Sequence, residues 1–316
     1  MTTHPIAEGH SEASTEGVNR MRKEPVVDAH HHIWRQADLD WLQGAERPRI
    51  FGPYRPIMRD YPIEEFRADA APLGVTKSVY VQANWPNDRA FEEAAWVQAE
   101  ADRAGAIAGI VAFADFARPD VRAHLERLKA LPLMRGIRQQ LHWHLTPLYR
   151  FAPRPDVSDD ADWRRGFALL GPTGWIFELQ VFASQAEPAL RLVDAFPDQH
   201  FVLEHAGMLE DRSEAGFAEW RRFMQALAQR PNVTTKLSGL GTFLRAARAV
   251  EWAPVVRQTL DIFGPDRCMF GSNFPIEKLW SSYADLFACF NDCIATLDDK
   301  ARRAVLHDTA ARVYRL

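Results

Sequence analysis

The sequence predicts an α/β protein of the (β/α)8 TIM-barrel class, a single domain with long loops after its first and fourth strands. Three observations carry that expectation. Short β-branched runs alternate with amphipathic helical stretches throughout the chain beyond residue 24. Eight such runs can be counted, at 26–33, 77–82, 107–112, 134–140, 175–181, 200–205, 233–238 and 267–271. No glycine-rich phosphate loop follows an early run, which separates this pattern from a doubly wound dinucleotide-binding sheet.

Each element has a local signal. Ile63, Phe66, Ala70 and Leu73 recur at helical spacing, as do Val121, Leu125 and Leu128. Gly105 and Gly264 follow helical runs as C-terminal stops, and Pro197 closes a third. Two connections are long, 35–60 after the first strand and 142–173 after the fourth, both rich in Trp, Pro, Tyr and Arg. On a barrel they lie at the C-terminal mouth, where long loops act as lids or substrate walls.

Composition narrows the function classes. The 316 residues, 47% apolar and 25% charged, fill one large core. A net charge of −4 without a basic block excludes an electrostatic footprint for nucleic acid or an anionic membrane surface. No stretch reaches the roughly 18 apolar residues that span a bilayer. Residues 1–24 are polar with no apolar centre and read as a disordered tail, not a signal peptide, ahead of a barrel domain at 25–316. The three cysteines, Cys268, Cys289 and Cys293, form no CxxC pair and read as buried thiols of a cytoplasmic protein. Oligomeric state is left open.

The segment from Val26 to Trp34 holds the candidate site. Alternation places Asp28, His30 and His32 on one face and Val27, Ala29, His31 and Ile33 on the other. With the first set inward, two imidazoles converge at the mouth, where they can ligate a metal or polarise a carbonyl. Gln82, Arg138, Gln140, Gln180, His205, Lys236 and Asn273 fall at or near other strand ends. Arg138 is the candidate grip for a substrate carboxylate, with a structural ion pair as its alternative. His205 shares parity with Phe201 and Leu203, so it is expected inward, and Glu204 is expected to pair within the helical layer. Trp34, Trp41, Trp85 and Trp143 offer aromatic faces for a ring, or simple packing.

In order along the chain, His30-x-His32, Val81-Gln82-Ala83-Asn84, Arg135-Gly136-Ile137-Arg138-Gln139, Glu204-His205-Ala206-Gly207, Lys236-Leu237-Ser238-Gly239, Phe270-Gly271-Ser272-Asn273-Phe274-Pro275 and Ala310-Ala311-Arg312-Val313-Tyr314 resemble the amidohydrolase superfamily. The branch they resemble contains sugar-acid lactonases and the pyrone-dicarboxylate lactonase. The resemblance implies a barrel hydrolase opening a small lactone or related cyclic ester, with His30, His32 and His205 as catalytic groups. Its partner would be a small-molecule substrate, a carboxylated or sugar-derived lactone.

Position 273 departs from that pattern. The superfamily usually carries an Asp after strand eight that ligates metal or takes a proton from the attacking water, and Asn273 has no basic site. Three accounts follow. One divalent metal, zinc first, held by His30, His32 and His205 lowers the pKa of a bound water. Alternatively, metal-free hydrolysis uses the histidines and Arg138 as electrophiles and Glu178, Asp115 or a loop carboxylate as base. The third is a degenerate barrel that only binds its ligand. A single-metal decarboxylase of a small carboxylic acid is the enzymatic alternative.

Overall fold

The computed structural model describes residues 25–316, and the tail expected over 1–24 lies outside them. All eight expected strands form: β1 (Val26–His31), β2 (Val75–Val81), β3 (Ile107–Phe113), β4 (Met134–Arg138), β5 (Ile176–Leu179), β6 (Phe201–Leu203), β7 (Val233–Leu237) and β8 (Cys268–Phe270). They pair in parallel in sequence order. The seam between β8 and β1 is drawn together just beyond the strand ends, where Asn273 N–H donates to His30 O at 2.7 Å and His32 N–H to Phe274 O at 2.7 Å. Gly271 permits this approach, since a Cβ there would lie 2.8 Å from the Cβ of His30.

Each strand is followed by a helix: α1 (Ile63–Ala70), α2 (Ala90–Ala104), α3 (Val121–Leu128), α4 (Ala161–Phe167), α5 (Ala186–Ala195), α6 (Glu214–Ala228), α7 (Ala249–Phe263) and α8 (Tyr283–Cys293), with α9 (Asp299–Arg303) and α10 (Thr309–Tyr314) behind. Gly105 stops α2 in the left-handed region and donates to Ala101 O at 2.7 Å, and Gly264 stops α7 by donating to Leu260 O at 2.8 Å. Helix α4 lies inside the stretch read as one long loop. Its start signal is Asp160, whose carboxylate accepts from the backbone N–H groups of Asp162 and Trp163. No helix among the described residues is long and apolar enough to cross a membrane. Cys268, Cys289 and Cys293 are free and buried, as expected.

Both faces of the strands are buried, so each strand feeds two cores. Toward the helices, Phe177, Leu179, Phe201, Leu203, Val233 and Phe270 join the large outer cluster. Inside the barrel, Val27, Ala29, Val79, Val81, Val111, Ile176, Val202 and Met269 pack with Ala310, Val313 and Tyr314, so α10 plugs the N-terminal end.

This arrangement corrects the facing of β1. His30 and His32 do point inward, and His31 points outward, stacked on Phe66 of α1 at 3.8 Å between ring centres. Val27 and Ala29, expected outside, are inside, and Asp28 faces outward, where it accepts from Tyr283 Oη–H and Ser272 N–H, each at 2.9 Å. The cause is a bulge: the span from Asp28 to His31 on β1 pairs with the shorter span from Ser78 to Tyr80 on β2, which reverses the alternation.

Candidate active site

A cavity of about 260 Å³ opens at the C-terminal mouth. His32 and His205 line it together with Asn273, Gln82, Gln140 and Gln180. The Nδ1 of His32 lies 2.7 Å from Val81 O, and a carbonyl only accepts. That nitrogen therefore carries the proton, and Nε2 keeps its lone pair. His205 follows β6 in a turn where it and Ala206 adopt φ of 54° and 48°. Its Nδ1 contacts Ser238 Oγ at 2.9 Å. Gly239, at φ 59°, makes room for that ring, for a Cβ there would lie 2.6 Å from Nδ1. His30 sits deeper and fully buried, with ring centres 5.1 Å from His32 and 4.8 Å from His205. Its Nε2 has no hydrogen-bond partner.

Burial holds all three imidazoles neutral. His205 is pushed down to about 3, by burial first and then by the Arg138 charge. His30 and His32 are lowered by burial, aided by Lys236 and Arg138 respectively.

Beneath the imidazoles lies a cluster of charges that corrects four expectations. Glu204 faces inward. Its carboxylate takes Arg138 Nη1 at 3.1 Å and lies 3.4 Å from His30 Nδ1. The parity argument held but its reference face did not: Phe201 and Leu203 face the helices, so Val202 and Glu204 face the axis, and His205 reaches the pocket only because the turn re-aims it. Arg138 lines the cavity, but its guanidinium is already engaged by Glu204 and by Gln82 O at 2.5 Å. It is therefore the structural ion pair and not a free carboxylate grip. Lys236, expected near substrate, is fully buried and lies 2.6 Å from both oxygens of Glu178. Glu178, expected as a base, is held by that lysine and by Tyr314 Oη–H at 2.7 Å, below the cavity.

The charges in this cluster set one another. Burial raises Glu178 despite Lys236. For Glu204 burial works upward, but the Arg138 charge, a hydrogen bond from Glu178 and the Lys236 charge together bring it below the usual range, so it stays ionised. Asp115, the other carboxylate considered, bonds to Gln139 Nε2 and the N–H of Ala117 and does not line the cavity.

The expected cavity residues Gln82, Gln140, Gln180 and Trp34 are there. Gln82 Nε2, Gln140 Oε1 and Gln180 Oε1 are buried without partners, leaving one donor and two acceptors for a ligand. The long loops supply the walls: Trp41, Arg49 and Phe51 from the first, Leu148, Arg150 and Phe151 from the second. Trp85 and Trp143 do not line the cavity. Sequence reading also missed His142, which lines it with Nδ1 unpartnered, and Phe243.

Asn273 adopts φ 56°, a left-handed conformation that Asn tolerates well. It lines the cavity, and its backbone O accepts from Glu277 N–H at 3.2 Å.

The donor set suits one divalent ion. One ligand atom each from His30, Glu204 and His205 lie within 4.8 Å of one another, two of them neutral imidazoles and the third an ionised carboxylate. The unpartnered His30 Nε2 is a buried polar atom of the kind such an ion satisfies. His32, expected as a ligand, falls outside this grouping, and Glu204 takes its place.

Known proteins agree with this picture. The chain matches the amidohydrolase family over residues 27–316. An uncharacterised protein of Sinorhizobium fredii is 36% identical over 92% of this chain and 98% of its own. An L-fucono-1,5-lactonase of Burkholderia multivorans is 31% identical over 92% of this chain and 96% of its own. A crystal structure of an amidohydrolase from Burkholderia multivorans with bound zinc superposes with a TM-score of 0.77 at 28% identity, covering 92% of this chain and 99% of that one. With a matching barrel and a family match over residues 27–316, the chain belongs to the amidohydrolase family and is a hydrolase.

Proposed function

We propose that this hydrolase opens a small sugar-derived or carboxylated lactone, with water as nucleophile and a hydroxy acid as product. The observation that carries the reading is His32, whose bond to Val81 O leaves a lone pair on Nε2 at the wall of a cavity lined by amides and aromatic rings. The unpartnered amide atoms of Gln82, Gln140 and Gln180 call for a ligand with groups that both donate and accept, as hydroxyls do. Trp34, Trp41 and Phe51 cover the apolar face of such a ring.

In this mechanism the lactone lies with its carbonyl oxygen toward Gln82 Nε2, and Asn273 orients the water. As water attacks the carbonyl carbon, its proton passes to His32 Nε2. The acyl–oxygen bond of the ring then breaks, and His32 returns the proton to the departing ring oxygen. Glu204 holds Arg138 in place, and Lys236 Nζ lies 3.4 Å from His30 Nδ1. One divalent ion, zinc as first choice, would be held by His30, Glu204 and His205, and when bound it supplies Lewis-acid polarisation of the carbonyl or activation of the water.

Purified protein assayed against aldonolactones and carboxylated lactones, with and without added zinc, tests the reading. His32→Asn should lower ring opening by about 10²–10⁴-fold while the melting temperature changes little. If wild type opens no ring faster than that variant, the lactonase reading fails. Release of carbon dioxide without ring opening would select the decarboxylase, and tight binding without turnover the degenerate barrel.

A further inference from the structure

The wall of the cavity carries guanidinium groups and no carboxylates. Arg49, Arg138 and Arg150 line it, and among the described residues no aspartate or glutamate joins them. Two of the three are engaged by the protein itself. Arg138 is held by Glu204 and by Gln82 O. Arg150 donates from Nε to His144 O and from Nη2 to Leu145 O, each at 2.6 Å, and lies over the Trp143 ring at 4.8 Å from its centre. Arg49 differs from both. Among the described residues its guanidinium makes no hydrogen bond and no ion pair, and its buried Nε has no partner.

The turn that carries Arg49 is fixed on three sides. Gly52, at φ 81°, closes it by donating its N–H to Arg49 O at 2.9 Å. Arg245, from the segment after β7, packs its guanidinium against Gly52, where a Cβ would lie 2.5 Å from Arg245 Nε. The Arg49 guanidinium lies 5.6 Å from the centre of the Trp41 ring, and that indole is itself held by donating from Nε1 to Ala83 O at 2.9 Å. Contact with an aromatic face leaves the N–H groups at the edge of a guanidinium free to donate.

We infer that Arg49 is a substrate-binding residue that grips a carboxylate, so that the lactone taken by this site is a carboxylated one and not a neutral sugar lactone. Arg138 cannot serve, because Glu204 already balances its charge. A guanidinium drawn partly out of water without a counter-ion is costly, and a carboxylate offsets that cost through two parallel N–H···O bonds. Of the guanidiniums in the wall only Arg49 presents a free fork for such a pair, while the charge of Arg150 adds to the field that draws an anion in. A neutral ring would leave the Arg49 charge unanswered. That the carboxylate is borne by a lactone rests on the lactonase reading; the grip on a carboxylate does not.

Probes matched in shape but not in charge give the test: coumalate against its methyl ester, and glucarolactone against gluconolactone. Calorimetric titrations in His32→Asn protein, where the rings stay closed, should show the carboxylated member of a pair binding about 10–100-fold more tightly than its neutral partner. Adding Arg49→Gln should erase that difference while the melting temperature and the neutral partner's affinity hold. Arg49→Lys, which keeps the charge but not the fork, should recover part of it. No preference in either pair, failure of every probe to bind included, or a preference that survives Arg49→Gln would overturn the inference. Ring opening of the same probes by wild type separates the two readings. An Arg49-dependent preference for the carboxylated probes with no ring opened would reject the lactonase and leave the grip standing. Neutral partners bound as tightly and opened as fast as the carboxylated ones would reject the grip and leave the lactonase standing.

Discussion

At the N-terminal end of the barrel interior, Val27, Val79, Val111, Val202 and Met269 meet the apolar side of α10. At the other end, the same strands or their extensions deliver His30, His32, Arg138, Glu178, Glu204 and Lys236, nearly all fully buried. The first end is a hydrophobic core held by close packing, and its members are interchangeable within limits of volume. The second is a polar network in which every charge depends on a partner. Tyr314 belongs to both, packing among the valines while its hydroxyl reaches Glu178. The difference teaches that burial in this barrel carries two meanings: stability at one end, and at the other an electrostatic state kept ready for a ligand.

Acid should separate the two ends most strongly. His30, His31, His32, His142 and His205 are all lowered by burial, three of them to about 3. For a depressed imidazole, the stabilising contribution is present above the unfolded value of about 6.5 and is lost as pH falls toward the folded value. Melting temperature should therefore drop steadily below pH 6.5, and a midpoint unchanged between about pH 7 and pH 5 would contradict this.

Next in size is the buried pair. Lys236→Met leaves Glu178 without its cation and should cost about 3–5 kcal/mol, whereas the double change with Glu178→Leu should recover most of that loss. Urea unfolding of the single and double variants measures it; equal losses in both would mean that the pair is not a coupled unit. The smallest effect belongs to the apolar end. Val202→Ala should cost about 2 kcal/mol by the same measurement, with kinetic constants near those of wild type. A large loss of turnover from that change would show that the two ends are not separable.

The strands, the stops at Gly105 and Gly264 and the seam histidines were legible because each has a local signature: an apolar run, a left-handed cap, a clustered HxH. The facing of the strands was not. Parallel strands buried on both sides show no polar alternation, so Phe201-Val202-Leu203 is equally apolar whichever way it turns. Glu204 was misplaced for that reason, and the Val202 parity would have found it had the axis side been known. The bulge in β1 left no trace in residue type. Glu277 was invisible for another reason: only the folded chain shows that a glutamate in a short turn is buried against Thr242 and Trp280.

The seam between β8 and β1 has one more consequence. Asn273 and the histidine pair are joined by the backbone bonds that bring the first and last strands together, and Gly271 lets those strands lie that close. Their spacing therefore cannot drift without parting the seam, so substitution can alter the chemistry of this site far more readily than its geometry. An amide where the resemblance leads one to expect a carboxylate is the sort of variation that such a constraint allows.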